Sequence, residues 1–211
     1  MIMSITREFL RNPVLTGAVA ASSPKLAEAM TAGLGLESAG LVVELGPGTG
    51  VFTDAVVRRL PPGARLVAIE INPRLAAGLR ARHQDVEIVE GSAEDLDEYV
   101  REAADVVVSG LPWTVMSAER QERILDRVTE ILVPNGRFTT FAYAHAAWTP
   151  PGRRFAAALR ERFAVTGRTP IVWPNLPPAF VHRAALPVSA SGSRPSRRRR
   201  AGTSPVSART R

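Results

Sequence analysis

The chain has 211 residues, 45% of them apolar, with 27 Lys plus Arg, 20 Asp plus Glu and a formal net charge of +7. Seven of the arginines (Arg194, Arg197, Arg198, Arg199, Arg200, Arg209, Arg211) follow Leu186 with no acid among them, so the first 186 residues are neutral and the excess charge belongs to a tail. The absence of cysteine excludes disulfides, thiolate metal sites and cysteine nucleophiles, three histidines (His83, His145, His182) leave little for a zinc site, and the apolar content excludes disorder of the whole chain.

The first forty residues precede any strand pattern and read as an N-terminal helical appendage, a membrane or lid element. Within it Met1, Ile2, Met3, Ile5, Phe9 and Leu10 fill one arc of a helical wheel and Ser4, Arg7 and Glu8 the other, which predicts a short amphipathic helix over Ile2–Leu10. Ser23 as N-cap and Pro24 at the first helical position then open a helix through Lys25–Ala32 that ends near Gly33.

From Leu41 onward, strand runs alternate with helical patterns. Leu41–Leu45, Arg65–Ile71, Val86–Val89, Asp105–Ser109 and Arg137–Tyr143 read as short buried strands. Between them lie helical Thr53–Leu60, Pro73–Arg82, Ala93–Val100 and Ser117–Leu132. The last carries Gln121, Ile124, Leu125, Val128, Ile131 and Leu132 on one face and is stopped by Pro134-Asn135-Gly136. A helix over Arg153–Arg162 and strands over Phe163–Arg168 and Ala179–Leu186 complete the pattern. The alternation predicts an α/β fold over residues 41–188: a Rossmann-like, mostly parallel seven-stranded sheet with helices on both faces and one antiparallel strand.

Residues 189–211 hold Ser, Pro, Gly and Arg without apolar periodicity, the composition of a disordered arginine-rich tail. No apolar run approaches the roughly 18 residues of a membrane span, and no basic segment leads into an apolar core at the N-terminus. The expectation is a cytoplasmic protein, peripheral on the inner face of a membrane.

The most informative stretch is Val42-Val43-Glu44-Leu45-Gly46-Pro47-Gly48-Thr49-Gly50, a strand running into a glycine-rich turn that opens a helix. Its spacing is G-x-G-x-G, not the G-x-G-x-x-G of nicotinamide enzymes, and Glu44 near the loop would repel a pyrophosphate but suits a cationic ligand. Glu70, at the end of the second strand, is placed to accept hydrogen bonds from ribose hydroxyls, and the polar run Gly91-Ser92-Ala93-Glu94-Asp95 after the third strand can read an adenine edge. These features at the carboxyl ends of three successive strands read as a site for S-adenosylmethionine (SAM), with S-adenosylhomocysteine as product.

On these residues the sequence resembles the class I SAM-dependent methyltransferases. Glu44–Arg59, Gly110-Leu111-Pro112-Trp113, Phe138–His145 (FTTFAYAH) and Arg168–Arg183 (RTPIVWPNLPPAFVHR) further resemble the bacterial phospholipid N-methyltransferases, soluble-type enzymes that make phosphatidylcholine from phosphatidylethanolamine and are similar in turn to ribosomal RNA adenine dimethyltransferases. The resemblance places Glu44, Gly46, Pro47, Gly48, Gly50, Glu70, Ile71, Ser92, Ala93 and Gly110 around the cofactor. In amine-methylating relatives the position of Gly110 carries Asn or Asp. Its replacement by glycine argues against a nucleobase amine and for a flexible primary amine held by backbone carbonyls near Gly110 and Leu111, with the face of Trp113 stabilising the cation.

Tyr143 and His145, at the end of the fifth strand, are candidates to bind the substrate phosphate or relay the amine proton, and face the same way if the strand extends that far. Arg154, with Arg153, is a candidate for the lipid phosphate. Asn175-Leu176-Pro177-Pro178 resembles the amine-binding pattern but lies past the sixth strand and reads as a structural loop over the site, with His83 and His182 as structural residues. The expected partners are phosphatidylethanolamine with its methylated derivatives, and an anionic membrane met through the Ile2–Leu10 helix and the basic tail; no metal and no nucleic acid are expected. Residues 85–130 carry net charge −9 and residues 131–186 net +6, a separation that favours oriented approach to an anionic surface. Two other readings remain open: an RNA adenine N-methyltransferase, and a non-catalytic membrane-binding protein of the same fold.

Overall fold

The structure, a computed structural model, describes residues 22–188. The expected amphipathic helix at Ile2–Leu10 and the arginine tail lie outside the described residues. In chain order the elements are α1 (Pro24–Thr31), β1 (Leu41–Leu45), α2 (Val51–Val57), β2 (Arg65–Glu70), α3 (Pro73–Arg82), β3 (Glu87–Glu90), α4 (Leu96–Tyr99), β4 (Ala104–Ser109), α5 (Ala118–Ile131), β5 (Leu132–Tyr143), α6 (Pro150–Arg162), β6 (Phe163–Arg168) and β7 (Ala179–Pro187). The strands form one sheet in the order β3-β2-β1-β4-β5-β7-β6. The first five pair in parallel, and β7 runs antiparallel between β5 and β6.

Side-chain alternation along the central strands divides the core into two layers. Val43, Leu45, Val67, Ile69 and Val107 pack with Leu96, Ile124, Leu125, Val128 and Leu159 on the face covered by α4, α5 and α6. Val42, Leu66, Ala68, Val106 and Val108 pack on the other face with Val56 and Leu79, from α2 and α3, and with Leu26 and Met30 of α1. Glu44 has the parity of Val42 and so is directed into that second layer. The parity decides its chemistry below.

Several boundaries move for local reasons. The helix expected over Thr53–Leu60 begins at Val51, directly after Gly50, and ends at Val57. The segment Ala93–Val100 divides into a 3-10 turn, Ala93–Asp95, capped by Ser92, and the short α4. α6 begins at Pro150, three residues early, because the Thr149 hydroxyl caps it by accepting from the Gly152 N–H at 3.2 Å. β5 reaches back to Leu132, which pairs with Ala104 ahead of a register shift in β4.

The segment before β1 is not an appendage over its described length. Ser23 caps α1 as expected, and Leu26 and Met30 are wholly buried. The Arg183 guanidinium donates to the Ala29 carbonyl at 3.1 Å, and that of Arg137 to the Leu34 carbonyl at 2.7 Å. Two strand arginines thereby tie α1 and the turn after it to the sheet.

Candidate active site

The carboxyl ends of β1, β4 and β5 open onto a cavity of about 310 Å³. Its walls come from three loops and a strap: Gly46–Phe52 after β1, Gly110–Val115 after β4, Phe141–Ala146 at the end of β5, and Pro177 with Ser22. The first two loops touch. The Gly110 N–H donates to the Leu45 carbonyl at 2.8 Å, and a Cβ at Gly110 would collide with the Gly46 carbonyl and crowd Phe52. Gly110 is therefore glycine because no side chain fits between the loops. Gly48 is different: its φ is +58°, and nothing lies within 4 Å of where its Cβ would stand, so this face of the loop is open to a ligand.

Glu70 closes the loop from the side. Its carboxylate accepts from the Gly48 N–H at 3.0 Å and from the Asn72 N–H at 2.9 Å. Burial raises its pKa, and the backbone donors of Asn72, Gly48 and Ile71 offset part of that rise. Ile71, half in solvent, follows it, and Ser92 and Ala93 stand at the end of the adjacent β3. These four continue the sheet edge beyond the cavity and do not line it.

Glu44 lies under the loop, fully buried beside Thr53 of α2, and is not part of the cavity wall. Burial, with Asp54 and Glu70 adding negative charge nearby, pushes its pKa up to about 8 against the pull of Thr53. Neither carboxyl oxygen makes a hydrogen bond of ordinary geometry. An enclosed, unpaired acid beneath an open glycine turn suits a cation bound above it, which would draw the carboxyl back to its charged form.

A family model described as a methyltransferase domain matches residues 42–136. An ornithine lipid N-methyltransferase of Singulisphaera acidiphila is 30% identical over 183 residues, covering 74% of this chain and 95% of that protein. The chain belongs to the class I SAM-dependent methyltransferases. A probable ribosomal RNA small subunit methyltransferase A of Thermococcus onnurineus is 40% identical, but over 36% of this chain and 27% of its own length. Among solved structures, the O-methyltransferase TomG of Streptomyces achromogenes, in complex with SAM, superposes with a TM-score of 0.63 at 18% identity, covering 84% of this chain and 86% of that one. SAM is the methyl donor, and the open face of Gly48, the Glu70 carboxylate beside it and the buried Glu44 fit it.

Of the substrate-side residues expected in this methyltransferase, Gly110, Leu111, Tyr143 and His145 do meet at the cavity. The strand ends at Tyr143, short of His145, which falls in a 3-10 turn over Ala144–Trp148; the two rings nevertheless stack, with centroids 5.9 Å apart and an interplanar angle of 6°. Two expectations need correction. Trp113 borders the cavity, but its ring is 2% exposed, stacked on Phe155 at 4.7 Å and edge-on to Phe138. Its indole N–H donates to the hydroxyls of Ser109 at 3.1 Å and Thr140 at 3.0 Å. Held in this way, it offers no face to a cation and is a packing residue. Arg154 is exposed on α6 and does not line the cavity.

Sequence reasoning missed Phe52, Phe141, Val115 and Ser22 in the wall. Phe141 was legible as the partner of Tyr143 two residues on. Ser22 was not, because what brings it to Pro177 is tertiary: the Ser23 N–H donates to Asn175 Oδ1 at 2.9 Å, and Asn175 Nδ2 donates to the Pro177 carbonyl at 2.7 Å. The segment around Asn175 is thus a structural loop over the site, as its position past β6 implied.

Proposed function

We propose that this methyltransferase transfers methyl groups to the primary amine of phosphatidylethanolamine, through the mono- and dimethyl lipids towards phosphatidylcholine. On this reading it works in the cytoplasm as a peripheral protein on the inner face of the membrane. The observation that carries the reading is the turn at Gly110. Of its carbonyls, that of Leu111 accepts from the Trp113 N–H at 3.0 Å and that of Pro112 from the Val115 N–H at 3.1 Å, while among the described residues no backbone N–H donates to that of Gly110, the carbonyl this reading assigns to the amine. No carboxamide stands there to read a planar base. The similarity to an ornithine lipid N-methyltransferase over nearly its whole length supports a lipid acceptor.

The bound cofactor supplies a methyl group already activated on a sulfonium. What the chain must supply is a neutral, aligned nitrogen. Walls built from Pro47, Phe52, Leu111, Phe141 and Pro177 desolvate the ammonium and lower its pKa, and the Gly110 carbonyl orients what remains. Tyr143 is half-buried, and burial raises its pKa, so it acts as a neutral hydroxyl. The exposed His145 ring stacked on it can carry the released proton to solvent.

The reading is tested with methyl-labelled SAM and three acceptors: vesicles containing phosphatidylethanolamine, vesicles containing ornithine lipid, and ribosomal RNA. Label is expected in phosphatidylethanolamine, resolved into successive methylated products. Label confined to ornithine lipid would reassign the headgroup, label confined to RNA would move the protein to the other branch, and no turnover at all would make it a non-catalytic member of the fold.

A further inference from the structure

Beside the reaction cavity lies a groove of about 250 Å³ lined by Ala147, Trp148, Arg153, Ala156, Arg160 and Arg168. Residues 153, 156 and 160 fall on one stripe of α6, and Arg168 ends β6 next to it. None of the three arginines has an acidic partner within 4 Å among the described residues, whereas Arg162 of the same helix pairs with Asp126 at 2.8 Å. Two of them are held in place. Arg153 donates to the Trp148 carbonyl at 2.6 Å, and the Arg168 guanidinium lies 5.0 Å from the centre of the Phe180 ring. Burial pushes the pKa of the nearby His182 down to about 4, with Arg168 and Arg160 reinforcing the shift.

Two further features give the groove a setting. Trp148 is 80% exposed at its edge, an indole left in water beside unpaired guanidinium groups, and Trp and Arg are the side chains that favour a membrane–water interface. The 3-10 turn Ala144–Trp148 is also a shared wall: His145 and Ala146 line the reaction cavity, and Ala147 and Trp148 line the groove.

We propose that the groove of Arg153, Arg160 and Arg168 binds the phosphodiester of an anionic membrane lipid other than the one being methylated, with Trp148 set into the interface beside it. The inference rests on the lipid reading above for the nearness of a bilayer. Planar guanidinium groups with several free donors match phosphate oxygens. The charge selects the lipid: a zwitterionic headgroup would bring its own ammonium against three arginines, and phosphatidylglycerol brings none. The intervening turn keeps this phosphate separate from the substrate's. An anionic lipid seated here would hold the shared wall, and with it His145, in place while zwitterionic substrates exchange.

The test uses the full chain with Trp173→Phe, which leaves Trp148 and the buried Trp113 as the tryptophans. It is titrated with vesicles of chain-brominated phosphatidylcholine, with and without phosphatidylglycerol, and no amine lipid. Quenching of Trp148 is expected only with phosphatidylglycerol. Arg160→Gln is expected to weaken vesicle binding roughly fivefold, and Arg168→Gln likewise, whereas Arg154→Gln, the same loss of charge on the same helix outside the groove, leaves it within error. SAM affinity is unchanged in all three. Equal quenching without phosphatidylglycerol, no quenching at all, or equal losses in Arg154→Gln and Arg160→Gln would overturn the proposal. Methylation of monomeric short-chain phosphatidylethanolamine, measured alongside, separates the two claims: it survives if only the groove is wrong, and fails independently of vesicle binding if the substrate is wrong.

Discussion

Glu44 makes the stability of the fold depend on pH. Its carboxyl titrates near 4.5 when unfolded and at about 8 when enclosed, so between those values the folded chain holds a proton that the unfolded chain has released. The contribution is complete below 4.5 and is lost as the pH rises through about 8. Melting curves from pH 5 to pH 9 should therefore fall for the wild type relative to Glu44→Gln, and parallel curves would contradict the buried, neutral state. At Gly110 the expectation is catalytic: Gly110→Asn drives a side chain into the Gly46 carbonyl and should lower kcat/KM about 10²-fold by displacing the two loops, without creating activity on RNA. The glycine turn was legible from spacing alone, because only glycine serves such a bend. The direction of Trp113 was not, because the hydroxyls and the ring that hold it come from β4, β5 and α6.

At the scale of elements, short buried apolar runs alternating with helical patterns located the sheet, and α3 and β6 run over the residues the pattern marks out. What periodicity could not give is where an element docks. The capping signal Ser23-Pro24 announced α1, yet nothing local announced that Leu26 and Met30 insert against the sheet. The same signal, Thr149-Pro150, opens α6 and was readable there by the same rule. Since Met30 is wholly buried, Met30→Ala should cost about 2–5 kcal/mol in denaturant unfolding; a loss within 0.5 kcal/mol, roughly the scatter of surface substitutions, would restore α1 to the status of an appendage.

Across the whole molecule, the sheet order sets an acidic strand at one edge and a basic one at the other. β3, with Glu87 and Glu90, is one edge, and β6, ending at Arg168, is the other. The two edges of the sheet thus differ in charge, and the cavity opens at the strand ends between them, beside the arginine groove. This orientation suits a protein that meets a charged surface with one side and draws its acceptor from it. That the acceptor is a lipid amine is tested by mass spectrometry of phosphatidylethanolamine recovered from vesicles after incubation with the purified methyltransferase and SAM. Successive headgroup mass increments of one CH₂, rising with S-adenosylhomocysteine, are the predicted result; unchanged phosphatidylethanolamine while S-adenosylhomocysteine accumulates on another acceptor would contradict it.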